Sequence, residues 1–206
     1  MIRKFWFSMF LTGVVLMAGC GKEAGEKPKS VEAGPTKVKL ETSMGDVIIE
    51  LNEKAAPVTV KNFLRYVEEG FYNGTIFHRV IPNFMIQGGG FATDLKDKPT
   101  HPMIVNEFKL SNVRGTIAMA KMGGNPNSAT SQFFINLKDN SGNLDRQNGG
   151  FTVFAKVVEG MDIVDSIVAV KTTTKIGTIK GRRTQLPNTP VELVVIRSAK
   201  VVSATK

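Results

Sequence analysis

The chain has 206 residues, of which 42% are hydrophobic and 22% are charged, and it carries nine excess positive charges. These values are close to the averages of soluble globular proteins, so we expect one compact domain with appendages. The positive charge alone does not distinguish a nucleic-acid surface from a lipid-binding or simply basic one. The single cysteine, Cys20, excludes an internal disulfide, so packing must hold the domain together.

The first segment has the features of an export signal. Two basic residues precede a fourteen-residue apolar stretch, residues 5–18, which is shorter than the roughly 20 residues that a membrane-spanning helix needs. We therefore expect residues 1–19 to be cleaved. Cys20 directly follows the small residues Ala18 and Gly19, which resembles the bacterial lipoprotein signal and implies an acylated Cys20. The alternative is an ordinary signal peptide with a chance cysteine.

Residues 20–36 are predicted to form a flexible tether that begins at the acylated cysteine. Residues 21–36 contain three glycines, two prolines and six charged residues but no aromatic residue, a composition that cannot bury enough apolar surface to become ordered. As a flexible coil, this segment spans on the order of 20–25 Å. We expect a lipid-anchored protein of a bacterial cell envelope. In a cell with two membranes, it would lie at the outer membrane or the periplasmic face; otherwise, it would lie at the outer face of the cytoplasmic membrane.

The remaining chain, residues 37–203, is predicted to be one domain that opens with a hairpin and a helix. Apolar residues alternate with polar ones on both sides of a turn at residues 43–46, which predicts a β-hairpin. Pro57 then stands in a first helical turn, and apolar residues follow at helical spacing as far as Gly70. This pattern predicts an amphipathic helix.

The second half of the domain is predicted to be rich in strands. Short apolar segments broken by glycine, asparagine and proline run through residues 71–154, a pattern typical of a barrel or sandwich. Residues 161–168 have apolar positions on one helical face, which predicts a second helix. Residues 171–190 contain five basic residues and no acidic one; we interpret them as a solvated surface loop in preference to a binding site. A last apolar run covers residues 191–202.

Two segments of this domain carry a resemblance to a known family. They are FHRVIPNFMIQGG at residues 77–89 and SQFFI at residues 131–135, and both closely resemble the signature stretches of the cyclophilins. The likeness covers roughly residues 37–203, and two long motifs in the right order are a specific signal. It implies a mainly β fold, a single closed eight-stranded antiparallel β-barrel capped by two α-helices. It also implies a peptidyl-prolyl cis/trans isomerase that assists the folding of exported proteins.

The chemistry of that activity is consistent with an arginine in the first motif. Rotation about an X-Pro bond is slow because amide resonance must be broken, at a barrier of roughly 18–20 kcal/mol. In the twisted state the proline nitrogen gains a lone pair, and Arg79 is the natural donor to it because its guanidinium is always charged. Such a bond contributes about 1.5–3 kcal/mol, so we expect an apolar pocket that excludes water to supply the rest.

The substrate site is predicted from the same motifs and from the likeness around them. Residues two apart in a strand share a face, so we expect Phe77 to lie on the same side as Arg79. We nevertheless assign Phe77 and Phe133 to the core rather than to the substrate site. We interpret His78 as a structural residue. Gly88–Gly90 is interpreted as a turn. The apolar walls of the site are expected to be Phe84, Met85, Phe134, Leu144 and Phe151. The amide side chains of Gln87 and Gln132 are expected to contact the peptide groups of the substrate. Backbone groups of Ala120 and Lys121 are expected to do the same at the rim.

Two features of the sequence bear on specificity and on competing functions. Lys121 replaces the small or amide residue that the family carries at the rim, which predicts an altered preference for residues before the proline. A proline-peptide-binding module or a holdase chaperone with incidental catalysis is the main alternative. The aromatic residues do not interleave with basic ones as a nucleic-acid platform requires. We expect proline-containing polypeptide clients, a membrane contact through the lipid, a monomer, and neither cofactor nor metal.

Overall fold

The structure, a computed structural model, describes residues 34–202. The predicted signal segment, Cys20 and most of the predicted tether lie outside the described residues, as does residue 203 at the end of the predicted domain. Within the described range, the chain forms ten strands and three α-helices.

Eight of the strands close into an antiparallel barrel. Their spatial order is β1-β10-β3-β4-β6-β5-β7-β2, and β2 pairs with β1 to complete the ring. The expected eight-stranded barrel is therefore confirmed. The strands of the barrel are β1 (Lys37–Thr42), β2 (Gly45–Leu51), β3 (Thr75–Ile81), β4 (Met85–Ala92), β5 (Thr116–Met119), β6 (Phe133–Asn136), β7 (Val153–Glu159) and β10 (Val195–Val202).

The predicted hairpin and both predicted helices are present. Alternate residues of β1, beginning with Val38 and Leu40, are fully buried, because a strand with one face in the barrel must bury every second side chain. Helix α1 (Pro57–Glu68) and helix α3 (Met161–Val168) add their apolar faces to the same core cluster. A further helix, α2 (Ser141–Leu144), is a single short turn that the apolar pattern does not predict.

The basic segment 171–190 is not the loop that its composition indicates. It forms a hairpin of strands β8 (Thr172–Ile179) and β9 (Arg182–Pro190). Lys180 and Gly181 join them with φ angles of 50° and 77°, the left-handed conformation of a tight hairpin turn. Leu186 anchors the hairpin in a small apolar cluster. Most of the basic side chains nevertheless stay exposed, as expected of a solvated segment.

The glycine run is also not a turn, because Gly88–Gly90 lies inside β4. These residues are small because other side chains pack against the strand. A Cβ on Gly89 would lie 2.9 Å from both Tyr72 and Phe133, and its φ is 78°. A Cβ on Gly90 would lie 2.5 Å from the side chain of Gln132. The interpretation as a turn is therefore wrong, and the glycines instead allow close approach to the strand.

Candidate active site

Arg79 reaches the site because strand β3 is irregular. The pairing of β3 with β4 shifts register on both sides of Phe77, as a β-bulge does. Phe77 consequently packs in the barrel core with a T-shaped contact to Phe133. The Arg79 side chain instead meets Gln87 of β4, with 3.4 Å between Nη1 and Oε1. The expectation that Phe77 and Arg79 share a face is wrong, whereas the placement of Phe77 and Phe133 in the core is right.

The guanidinium of Arg79 heads a short polar chain. It donates to Gln87 Oε1, and Gln87 Nε2 in turn donates to Gln132 Oε1 over 2.8 Å. Desolvation by burial lowers the pKa of Arg79 from its ordinary value, although arginine remains protonated in proteins. Among the described residues, Gln87 is its only hydrogen-bond partner. Most of the guanidinium N–H groups therefore remain available to a bound molecule.

An apolar cluster lies on the outer side of the strands that carry this polar chain. Met85, Phe134 and Leu144 are almost fully buried, and Phe84 and Phe151 are half-buried. Phe151 contacts Phe134 edge to face, with 5.6 Å between ring centroids. The structure thus brings all five predicted pocket residues into one cluster. The cluster also contains Ala120, which was predicted at the rim, and three residues that sequence reasoning did not assign to the site, namely Ile81, Ala118 and Val153.

The predicted rim residues have two different roles in the hydrogen bonding. The backbone N–H of Ala120 donates to the carbonyl of Gln132 over 2.9 Å, so this N–H group is already engaged within the protein. The ammonium of Lys121 folds back onto the chain and donates to the carbonyl oxygens of Asn148 and Gly150. Its charge therefore lies against the segment that precedes Phe151.

Buried asparagines hydrogen-bond the backbone of two residues of the apolar cluster. Asn140 Nδ2 donates to the Phe84 carbonyl over 2.8 Å, and Asn112 Nδ2 donates to the Phe151 carbonyl over 3.1 Å. Asn136 links the two, because it donates to Asn112 and accepts from Asn140. A buried, satisfied network of this kind fixes one arrangement. The signal available in the sequence was an asparagine at the end of the apolar FFIN stretch.

His78 lies apart from the apolar pocket cluster. Its ring packs against Phe91, with centroids 4.6 Å apart. Burial, together with the charge of neighbouring Arg79, lowers its pKa from 6.5 to about 4. A neutral imidazole there is a packing residue, as the sequence predicted.

Within residues 34–202, no group of three or more potential metal-ligating side chains lies together. None of the helices that the structure describes has the length and apolarity to cross a membrane.

Comparison with known proteins agrees with the motifs. The family model described as cyclophilin type peptidyl-prolyl cis-trans isomerase matches residues 37–201. A peptidyl-prolyl cis-trans isomerase of Acinetobacter baylyi is 49% identical over 172 residues, covering 82% of this chain and 88% of the relative. Peptidyl-prolyl cis-trans isomerase B of Escherichia coli is 49% identical over 170 residues, covering 80% of this chain and 98% of the relative.

The fold has matches among crystal structures. A cyclophilin-type peptidyl-prolyl cis-trans isomerase of Cryptosporidium parvum superposes with a TM-score of 0.66 at 26% identity, covering 83% of this chain and 99% of the other. The same protein in the presence of the dipeptide Ala-Pro gives a TM-score of 0.65 at 26% identity, with coverage of 82% and 99%. Together with the matched motifs and the closed barrel, these similarities show that this chain belongs to the cyclophilin-type peptidyl-prolyl cis/trans isomerases.

Proposed function

We propose that residues 37–203 catalyse rotation about X-Pro bonds at the cluster around Arg79. The observation that carries this proposal is the adjacency of two features. One is a half-buried guanidinium with a single internal hydrogen bond among the described residues. The other is an apolar cluster built from Met85, Phe134 and Leu144. A proline ring needs an apolar wall, and a twisting amide needs a hydrogen-bond donor at its nitrogen.

The apolar residues would bind the substrate, and Arg79 would stabilise its twisted state electrostatically. Phe84, Met85, Phe134, Leu144 and Phe151 would hold the proline ring and exclude water from it. Gln87 orients Arg79 through its Oε1, so the guanidinium is positioned before substrate arrives. As the amide twists, the proline nitrogen becomes pyramidal and Arg79 donates to its new lone pair. Because this bond forms only in the twisted state, it lowers the barrier rather than merely tightening binding.

The flanking peptide groups of the substrate would meet polar groups at the edge of the cluster. Gln132 keeps donor capacity at Nε2 while its Oε1 accepts from Gln87. The carbonyl of Ala120 and the N–H of Lys121 have no partner among the hydrogen bonds of residues 34–202. A peptide lying along this edge could pair with both groups. The Ala-Pro dipeptide used with the Cryptosporidium relative supports a proline-containing ligand for this chain.

The test is an isomerisation assay that does not depend on folding of a client. Two-dimensional NMR exchange on an Ala-Pro peptide measures cis/trans interconversion directly. We expect the domain to accelerate exchange at substoichiometric concentration. The holdase alternative predicts instead that the protein suppresses aggregation of an unfolded client that lacks proline, with no acceleration of exchange in the peptide.

We also propose that the protein is exported and lipid-anchored through Cys20, where it would act on exported polypeptides. Support comes from the signal-like residues 1–19 and from the position of Cys20 after Ala18 and Gly19. Mass spectrometry of the mature protein, expressed in a bacterium, tests this. We expect an acylated N-terminal Cys20 in wild type and no acylated form of Cys20→Ser. A wild-type protein with a free cysteine, or with residues 1–19 retained, would contradict the proposal.

A further inference from the structure

The segment just before Phe151 has an unusual backbone. Asn148, Gly149 and Gly150 follow one another with φ angles of 53°, 75° and 74°. Glycine adopts positive φ angles readily, whereas the left-handed conformation of Asn148 is uncommon for a residue that carries a side chain. At Gly150 a side chain is excluded, because a Cβ would lie 2.3 Å from the ring of Phe108. The backbone immediately before a wall of the proposed proline pocket is therefore held in an uncommon conformation.

The carbonyl oxygens of this run converge on two donors from other parts of the chain. Lys121 Nζ lies 2.7 Å from the Asn148 oxygen and 2.5 Å from the Gly150 oxygen. Asn106 Nδ2 lies 2.7 Å from the Gly149 oxygen and 3.1 Å from the Gly150 oxygen. All three carbonyls are thus satisfied from outside the segment, and one of the two donors is a cation.

The same ammonium also contacts the aromatic wall. Lys121 Nζ lies 4.8 Å from the centroid of the Phe151 ring, which is within the range of a cation–π interaction. No carboxylate forms an ion pair with Lys121 among the described residues. Two carbonyl oxygens and a ring face therefore surround the charge, as ligands surround a bound monovalent cation.

We propose that Lys121 is a positioning residue whose ammonium fills this carbonyl and aromatic cage and thereby holds Phe151 as a wall of the proline pocket. The cage consists of the carbonyls of Asn148 and Gly150 and the ring of Phe151. This proposal rests on the proposed isomerase function. It gives Lys121 a role that differs from contact with the residue before proline. In this role, the charge acts on the protein rather than on the substrate.

Replacing Lys121 by a neutral residue should loosen Phe151, and it leaves Arg79 unchanged. Lys121→Met keeps most of the side-chain volume but leaves both carbonyls without their cation. A loosened Phe151 should weaken binding of the planar X-Pro bond and of its twisted state equally. We therefore expect KM to rise by roughly three- to tenfold while kcat changes by less than about twofold. Lys121→Arg keeps a cation that can donate to both carbonyls and lie over the ring, so its KM should stay within about twofold of wild type.

Chemical rescue provides a readout within a single variant. Lys121→Ala removes the side chain beyond Cβ, and n-propylammonium replaces the missing atoms with their charge. We expect n-propylammonium to lower the KM of Lys121→Ala towards the wild-type value, and equal concentrations of n-propanol to have no effect. The matched control is Lys54→Ala, because Lys54 is exposed and its side chain makes no hydrogen bond or ion pair with any of residues 34–202.

Two results would overturn the proposal. One is a Lys121→Met enzyme with wild-type KM and kcat. The other is equal rescue by n-propanol and n-propylammonium, because the effect would then come from filled volume rather than from charge. Failure of the isomerase function itself is distinguishable, since wild type would then not accelerate exchange in the peptide at all. Because rescue compares one protein sample with and without the additive, altered folding of Lys121→Ala does not mimic it.

Discussion

Replacing Gly90 by alanine should disturb the site through one identified contact. A Cβ at Gly90 would lie 2.5 Å from Cγ of Gln132 and 2.6 Å from its Cδ and Nε2. Real Cβ atoms do not approach other atoms so closely, so the Gln132 side chain must move by about 1 Å. Its 2.8 Å bond from Gln87 Nε2 would then break. Within the described part of the chain, Gln87 is the only hydrogen-bond partner of the Arg79 side chain.

The size of the effect follows from that single bond. A neutral intramolecular hydrogen bond contributes about 0.5–1.5 kcal/mol, and each 1.4 kcal/mol corresponds to about tenfold in rate. Gly90→Ala should therefore lower kcat/KM by about two- to tenfold. The backbone at Gly90 does not have a left-handed φ, so the substitution introduces no backbone strain of that kind.

A double-mutant cycle isolates this cause. NMR exchange on an Ala-Pro peptide should be measured for Gly90→Ala, for Gln132→Ala and for the double variant. If the clash with Gln132 is the mechanism, Gly90→Ala should have almost no effect when Gln132 is already alanine. Gly142→Ala is the control, since a Cβ there meets nothing within 4 Å. An undiminished effect of Gly90→Ala in the Gln132→Ala background would refute the reasoning.

Two further predictions concern stability. Since the pKa of His78 is about 4 in the fold against an ordinary 6.5, the unfolded chain takes up this proton first as pH falls. The contribution of neutral His78 to the free energy of unfolding should be fully present above pH 6.5 and should decrease by about 3 kcal/mol by pH 4. Urea titrations should show a weaker decrease in this window for His78→Asn, and identical slopes would contradict the linkage. Glu107 accepts from the N–H groups of Val58 and Thr59 at the start of α1, where the helix has no side-chain cap of its own. Glu107→Ala should therefore cost about 1–2 kcal/mol of unfolding free energy, whereas an unchanged urea midpoint would exclude a capping role.

The sequence predicted those parts of the fold that have a regular apolar period. The alternation through Val38 and Leu40 indicated the first hairpin, and helical spacing around Phe63 indicated α1. The hairpin of residues 172–190 was missed because its strands have few apolar residues. The side chains that it buries are mainly those of Leu186 and Thr189, and the Thr189 hydroxyl donates to the His78 carbonyl. The Lys180–Gly181 step was the available signal, but a lysine in left-handed conformation is not a common hairpin residue.

The site was predicted as a set of residues but not as a geometry. The motifs and the likeness around them identified Arg79 and the apolar residues of the predicted pocket, and the structure places the five apolar residues in one cluster. The bulge that separates Phe77 from Arg79 was not predictable, because strict alternation assumes a regular pairing. The asparagine network and the Lys121 contacts also escaped prediction. They join residues far apart in sequence, such as Asn140 with Phe84, and no local pattern records such pairs.

The central claim is that the Arg79 guanidinium lowers the barrier to X-Pro rotation. The direct measurement is the exchange rate of an Ala-Pro peptide with Arg79→Ala, compared with wild type. The control is Arg197→Ala, which removes an exposed arginine of β10. Because a charged hydrogen bond contributes about 1.5–3 kcal/mol, we predict that Arg79→Ala lowers kcat by roughly ten- to a hundredfold, with Arg197→Ala unchanged. A folded Arg79→Ala protein with wild-type kcat would contradict this account.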